Sequence, residues 1–357
     1  MLLYGCELCR PANPNSRLVS DQKMTTETTT SQSSNSFFPR LRSFAVANTM
    51  LLILIGILFI GAVISKGISI QPSNIINVLF QTSIIGVVAI GQTLCILTGG
   101  IDLTVGGVVI LSAIIMGGTT TTHTTSMIPH MGLLPGIFFA LGVAVFIGLV
   151  NGVIISKTRI PPFIVTLAML SVVTGMAFLV TGGIPVYDHS DFFADFGRMK
   201  IGPVTYPIIL WIGLMGLAQL FLARTRYGKK IYAIGGSEKG AFLSGVKVTN
   251  VKILIYSLSG LMAGIGGFLY IVRTYMLIPT ANAGAEYLMN PIAAVVVGGV
   301  SLTGGRGSMK DTFIGVLIIA FLNNLMNIML IPPSFQMAVT WSIILIGVIA
   351  HINITKQ

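Results

Sequence analysis

The chain has 357 residues, 54% of them apolar and only 9% charged, with a mean hydropathy of +0.90. Soluble domains carry about a quarter charged residues, so a water-soluble enzyme is excluded, and apolar stretches of about twenty residues identify a polytopic, all-α membrane protein. The net charge of +11 comes from 21 Lys and Arg against 10 Asp and Glu, and its distribution in short segments between apolar runs fits positive-inside loops better than a nucleic-acid partner.

In chain order, residues 1–43 form a polar tail with Pro11, Pro14 and a Thr/Ser run from Thr25 to Ser36. They hold too little apolar surface for a core and are predicted to be disordered. Met24 opens a more ordinary cytosolic tail, so the first 23 residues read as an upstream extension. No signal peptide is expected, because the first long apolar run begins near Phe44 and lacks a small-residue cleavage site. Cys6 and Cys9 have no second CxxC or His pair beside them, so neither a metal nor a redox centre is predicted.

Windows of about 19 residues place ten spans, at 44–65, 75–98, 103–118, 133–156, 163–181, 207–223, 252–272, 287–303, 312–331 and 335–351. The third and eighth are short and Gly-rich and are candidates for broken or re-entrant segments, which need a cover of protein or a water-filled cavity. With the N-terminus in the cytosol, inside segments carry Arg40, Arg42, Lys157, Arg159, Arg224, Arg226, Lys229, Lys230, Lys239, Lys247, Lys252, Arg306, Lys310 and Lys356. Outside segments carry only Lys66, Arg198, Lys200 and Arg273. This bias places both termini, including the 352–357 tail, in the cytosol.

Two loops are longer than connectors. The 182–206 loop is external and acidic at Asp188, Asp191 and Asp195. The 224–251 loop is internal and basic. Within it, Ser237 followed by Glu238 and an apolar run suits a helix start and Gly245 a helix stop, which predicts a two-turn helix at 237–244 between glycine hinges. That helix would present Glu238, Lys239 and Phe242 to a cytosolic partner. The alternative is that Lys229, Lys230 and Lys239 contact anionic lipid headgroups.

Asp102, in Gly99-Gly100-Ile101-Asp102, lies between two apolar spans without a nearby basic residue. A carboxylate at membrane depth is a functional candidate, and it is equally suited to cap the N-terminus of the third span. Polar residues at helical depth, Gln81, Thr82, Gln92, Thr93, Asn151, Thr166, Thr174, Asn323, Asn324 and Asn327, could meet a hydroxylated solute or bond between helices. Asn323 and Asn327 share one helix face, which would be unusually polar toward lipid. Arg273 and Glu286 bracket an external connection and could pair. The segment from His123 to His130 has no carboxylate or thiol beside it and reads as an uncharged loop, not a metal site. GGIDLTVG at 99–106 and GGVSLTGG at 298–305 echo one another, as two points where backbones could approach closely.

Four stretches, LTGGIDLTVGGVV at 97–109, NGVIISKTRIPPFIVTLAML at 151–170, YGKKIYAIGGSEKGAFLSGVKV at 227–248 and AAVVVGGVSLTGGRGS at 293–308, together resemble the permease subunits of bacterial ATP-binding cassette importers for ribose, xylose, arabinose and galactose. The resemblance spans about residues 45–351. It implies a bacterial inner-membrane location and alternating access in a dimer with a second copy or paralogue. It also implies a cytosolic ATPase subunit with two nucleotide-binding modules that uses ATP and Mg, a periplasmic sugar-binding protein, and coupling through Gly235, Gly236, Ser237, Glu238, Lys239, Ala241, Phe242 and Leu243. The translocation path or its hinges are then expected at Gly99, Gly100, Asp102, Asn151, Asn323, Asn324 and Asn327. The chain itself contains no G-x-x-x-x-G-K-[ST] phosphate loop, so it is expected to bind no cofactor and to have no ATPase site. A secondary, ion-coupled carrier is the alternative, and the lack of ionisable groups in mid-span weighs against it.

Overall fold

The computed structural model describes residues 49–121, 127–158, 160–187, 189–279, 284–332 and 334–342. The chain divides into two units, Met1–Phe44 and Ala45–Gln357, and every described residue belongs to the second. The polar N-terminal and C-terminal tails, His123, Arg159 and Asp188 lie outside the described residues, as does most of the span predicted at 335–351.

The helices are α1 (Thr49–Ile64), α2 (Pro72–Leu97), α3 (Val105–Thr120), α4 (Leu133–Lys157), α5 (Pro162–Thr181), α6 (Asp191–Arg198), α7 (Tyr206–Arg224), α8 (Arg226–Gly236), α9 (Glu238–Leu243), α10 (Val248–Arg273), α11 (Ala285–Gly298) and α12 (Met309–Ile328). Residues 334–342 are also helical. Six helices, α2, α4, α5, α7, α10 and α12, are long and apolar enough to cross a membrane, while α1, α3 and α11 are apolar but shorter. Prolines in the first turns of α2, α5 and α7 remove N–H groups that would have no intrahelical partner.

The long, mostly buried helices α2 and α10 form the centre of the bundle. Helix α10 packs closely on α4 because Gly148 and Gly152 lie directly against the backbone at Tyr256 and Ile253. The outer helices leave large apolar side chains bare, among them Phe138, Phe146, Phe163, Leu179 and Leu217, as a lipid-facing surface requires.

Helix α10 is about 39 Å long, and its two ends define the two ends of the bundle. Near its start lie α8 and α9, joined to it by the Glu238–Lys252 ion pair at 2.8 Å. Near its finish lies α6, with Gly197 against Val272, a hairpin pairing Lys200–Ile201 with Val204–Thr205, and a bridge between Val186 and Leu277. Phe193 and Phe196 of α6 meet Phe268 edge-on. The 182–206 segment is therefore folded down onto the bundle.

The third predicted span begins two residues later than expected. After α2 the chain turns through Gly99 (φ +78°) and re-enters the bundle as non-helical backbone, in which Asp102, Leu103 and Thr104 are all buried. Irregular backbone is tolerated at such a depth only under a cover of protein. Ser259, which touches this segment, lies eleven residues into α10, about 16 Å from its start.

Candidate coupling and translocation sites

The helix predicted at 237–244 is present as α9, shortened to Glu238–Leu243 and capped by Ser237, whose hydroxyl accepts from the Gly240 N–H at 3.1 Å. Gly245 ends it at φ +81°. Ala241 is buried, whereas Phe242 and Leu243 are 67% and 76% exposed, so two large apolar side chains stand free at this end of the bundle. Gly235 and Gly236 are helical. They complete α8, a helix absent from the sequence reading, which begins where the Thr225 hydroxyl accepts from the Gly228 N–H at 3.1 Å.

Gly235 is instead a packing contact. A Cβ there would overlap the Leu97 carbonyl oxygen and the Gly305 nitrogen. Those two atoms are themselves hydrogen-bonded, Gly305 N donating to Leu97 O at 2.9 Å. Gly304, at φ +86°, lies against both Gly235 and Gly99. The two echoing Gly-rich loops therefore meet each other and α8 at one point. The Tyr232 hydroxyl adds a second tie by donating to Gly307 O at 2.7 Å. Burial, and then the Asp311 carboxylate, push the Tyr232 phenol above its usual pKa, so it remains a donor at neutral pH.

The N-terminal ends of α3 and α11 are in contact too. Gly106 in the first turn of α3 and Gly284 just before α11 are in direct backbone contact, each filling the space where the other's Cβ would stand. Helix α8, the 98–104 segment, α3, α11 and the 299–308 segment thus form a closed ring of contacts.

Asp102 does not cap α3. Thr104 occupies the N-cap position without a side-chain cap bond, and Asp102 Oδ1 accepts from both the N–H (3.0 Å) and the hydroxyl of Thr104. Its Oδ2 accepts from Ser259 Oγ on α10 at 2.8 Å. Asn151 on α4 donates to Thr104 Oγ1 at 2.7 Å. Asp102 and Asn151 therefore join α10 and α4 to the re-entrant segment, and Gly100 leaves room for the Tyr256 hydroxyl beside them. Asn151 Oδ1 and Tyr256 Oη have no hydrogen-bond partner among the described residues.

Asn323, Asn324 and Asn327 lie elsewhere, in the half of the bundle remote from α9. Asn323 and Asn327 line an open cavity of about 600 Å³ together with Gln81, Arg273, Glu286 and Trp341. All three asparagines line an adjoining cavity of about 240 Å³. Asn324 also exchanges amide hydrogen bonds with Asn74, at 2.9 and 3.2 Å. The expected Arg273–Glu286 pair does not form; Arg273 Nη2 donates to Gln81 Oε1 at 3.1 Å instead. Gln92, Thr93 and Thr166 are buried between helices.

Residues 74–349 match the family described as the branched-chain amino acid transport system / permease component. The chain is 39% identical to the ribose import permease of Bacillus subtilis over 281 residues, 78% of this chain and 84% of that protein. It is also 39% identical to the ribose import permease of Escherichia coli K12, over 283 residues covering 78% and 85%. With the fructose import permease of Rhizobium meliloti it shares 36% identity over 285 residues, 78% and 75% of the two chains. The chain belongs to this permease family. No solved structure matches it significantly.

The permease is thus a multi-pass inner-membrane protein of the all-α class and the membrane component of an ATP-binding cassette importer. Its sequence signals were uneven. The carboxamide face on α12 was legible from an i, i+4 spacing. The contribution of Gln81 to the same cavity was not, because only the tertiary fold brings α2 beside α12.

Proposed function

We propose that the permease moves an uncharged monosaccharide inward by alternating access, driven by a separate ATPase that docks on α9. The observation that carries the reading is the bare pair Phe242 and Leu243 on a capped helix, standing at the end of the bundle where α8 touches both Gly-rich loops. The sugar class rests on the ribose and fructose import permeases to which the chain is similar.

In this reading the α9 end is cytosolic, the chain crosses ten times with both termini in the cytosol, and α1, α3 and α11 complete their crossings with the extended segments beside them. Ser237, Glu238, Lys239, Ala241, Phe242 and Leu243 form the docking helix, and Gly235 and Gly236 carry it. The ATPase supplies two nucleotide modules and uses ATP and Mg. A periplasmic binding protein delivers the sugar at the α6 end, and a second copy or paralogue closes the open side of the cavity lined by Asn323, Asn324 and Asn327. Gly99, Gly100, Asp102 and Asn151 act as the hinge region between docking helix and path, bonded to neighbouring helices and away from the sugar.

The test replaces Phe242 and Leu243 with Asp. Both side chains are exposed, so folding should change by no more than about 0.5 kcal/mol, and the variant should reach the membrane. Co-purification with the ATPase and ATP-dependent sugar uptake by proteoliposomes should both be lost. Normal uptake by the variant, or uptake driven by an ion gradient without nucleotide, would remove the basis of the reading.

A further inference from the structure

We propose that the cavity beside α12 is a low-affinity transit site for a neutral monosaccharide ring, gripped by carboxamides and walled on one side by Trp341. The inference rests on the importer reading and adds a binding site with a ligand class. The volume of about 600 Å³ falls within the ~300–1,000 Å³ of small-molecule sites. Most of its polar lining carries one functional group, in Gln81, Asn290, Asn323, Asn327 and Gln336. A carboxamide both donates and accepts, as a hydroxyl does, so it satisfies a sugar hydroxyl whichever way the proton points.

Some of these groups are fixed and some are free. Gln336 Nε2 donates to Asn327 Oδ1 at 2.7 Å, and Gln81 is held by Arg273 at 3.1 Å, so the frame is positioned before any solute arrives. Asn290, Asn323 and Glu286 make no side-chain hydrogen bond among the described residues, although Asn290 is only 9% exposed. Groups of this kind, set among apolar helices, need a polar occupant.

Charge sets the class. Arg273 and Glu286 line the same cavity and their charges sum to zero, so a sugar phosphate or an amino sugar gains no net attraction to offset the cost of desolvating its own charge, whereas a neutral ring bears no such cost. Trp341 and Met337 supply the apolar surface that suits the C–H face of a ring. A site on a translocation path must release its occupant as readily as it takes it up, so weak binding is expected.

The chain has two tryptophans, and Trp211 is fully buried. A Trp211→Phe permease in lipid nanodiscs therefore reports on Trp341 alone. Titration with D-ribose, D-fructose, L-arabinose and D-allose should give a saturable fluorescence change with at least one of them in the millimolar range. D-ribose 5-phosphate should give none at the same concentration. Asn323→Ala combined with Asn327→Ala should weaken binding at least tenfold in a protein that elutes as the parent does. Saturation-transfer NMR on the unmodified permease provides a second readout independent of Trp211.

No saturable binding of any of the four sugars by either method, equal binding of the phosphate, or indifference to the Asn substitutions would overturn the site. ATP-driven uptake by the complete transporter separates the two claims. A permease that imports sugar but binds none here loses the transit site only. One that binds sugar here yet never imports it with ATP loses the importer reading and keeps the site.

Discussion

Replacing Gly235 with Ala perturbs the junction between α8 and the bundle by a single carbon. In an isolated helix the change would stabilise by about 1 kcal/mol, because glycine loses more backbone entropy. In place, the added Cβ falls inside contact distance of Leu97 O and Gly305 N and lies 2.9 Å from Gly305 Cα. All three are backbone atoms, so no rotamer change relieves the overlap, and α8 and the loops must separate by about 1 Å to restore ordinary contact. Overpacking of this kind costs about 1–3 kcal/mol. The separation also strains the Gly305 N to Leu97 O bond of 2.9 Å and the Tyr232 to Gly307 bond of 2.7 Å, each worth about 0.5–1.5 kcal/mol. The net penalty is a few kcal/mol, concentrated where α8 meets both Gly-rich loops. The exposed face of α9, proposed above to dock the ATPase, is unchanged, so on that proposal the ATPase should remain bound and hydrolyse ATP while uptake by vesicles carrying the whole transporter falls at least tenfold. Gly236→Ala is the control, since nothing lies within 4 Å of its added Cβ, and it should transport normally. Wild-type uptake by Gly235→Ala, or equal damage from Gly236→Ala, would refute the reasoning.

Two further outcomes follow from the same contacts. Asp102→Ala leaves the Thr104 N–H, the Thr104 hydroxyl and the Ser259 hydroxyl without their acceptor; at about 1–3 kcal/mol for each buried group stranded, it should lower the thermal unfolding midpoint more than any substitution on α9, and Asp102→Asn should recover part of the loss. Tyr232→Phe removes one hydrogen bond and should cost about 0.5–1.5 kcal/mol in a chemical unfolding titration. Because the folded phenol titrates above its usual value near 10, the Tyr232 contribution should be fully present below pH 10 and fade only as pH rises through the raised folded value; an earlier fade, between pH 7 and 9, would contradict it.

Fold class was legible in the sequence because apolar runs of about twenty residues have one stable solution in a bilayer. Helix α9 was legible because Ser237 and Gly245 are a start and a stop in the right order. Helix α8 was missed, since Gly228, Gly235 and Gly236 lower its intrinsic propensity, and it is held instead by the Thr225 cap and by packing on loops distant in sequence. The role of Asp102 was misjudged for a similar reason. Its nearest backbone partner is local, but Ser259, the side chain that completes its hydrogen bonding, lies 157 positions away, and no spacing rule reaches that far.

The contrast between the central and outer helices bears on biogenesis. Helix α4 has a mean hydropathy of 2.6 and faces outward along most of its length, whereas α2 and α10 reach only 1.7 and are largely enclosed. The centre of the bundle is therefore built from helices less at home in lipid than α4 or α5. Helix α2 leaves the ribosome well before α10 and α12, carrying Gln92, Thr93 and the Gly-lined face that those helices later cover. That face stays uncovered until α10 is inserted, so a pause in synthesis anywhere between α2 and α10 should expose this permease to quality-control proteolysis.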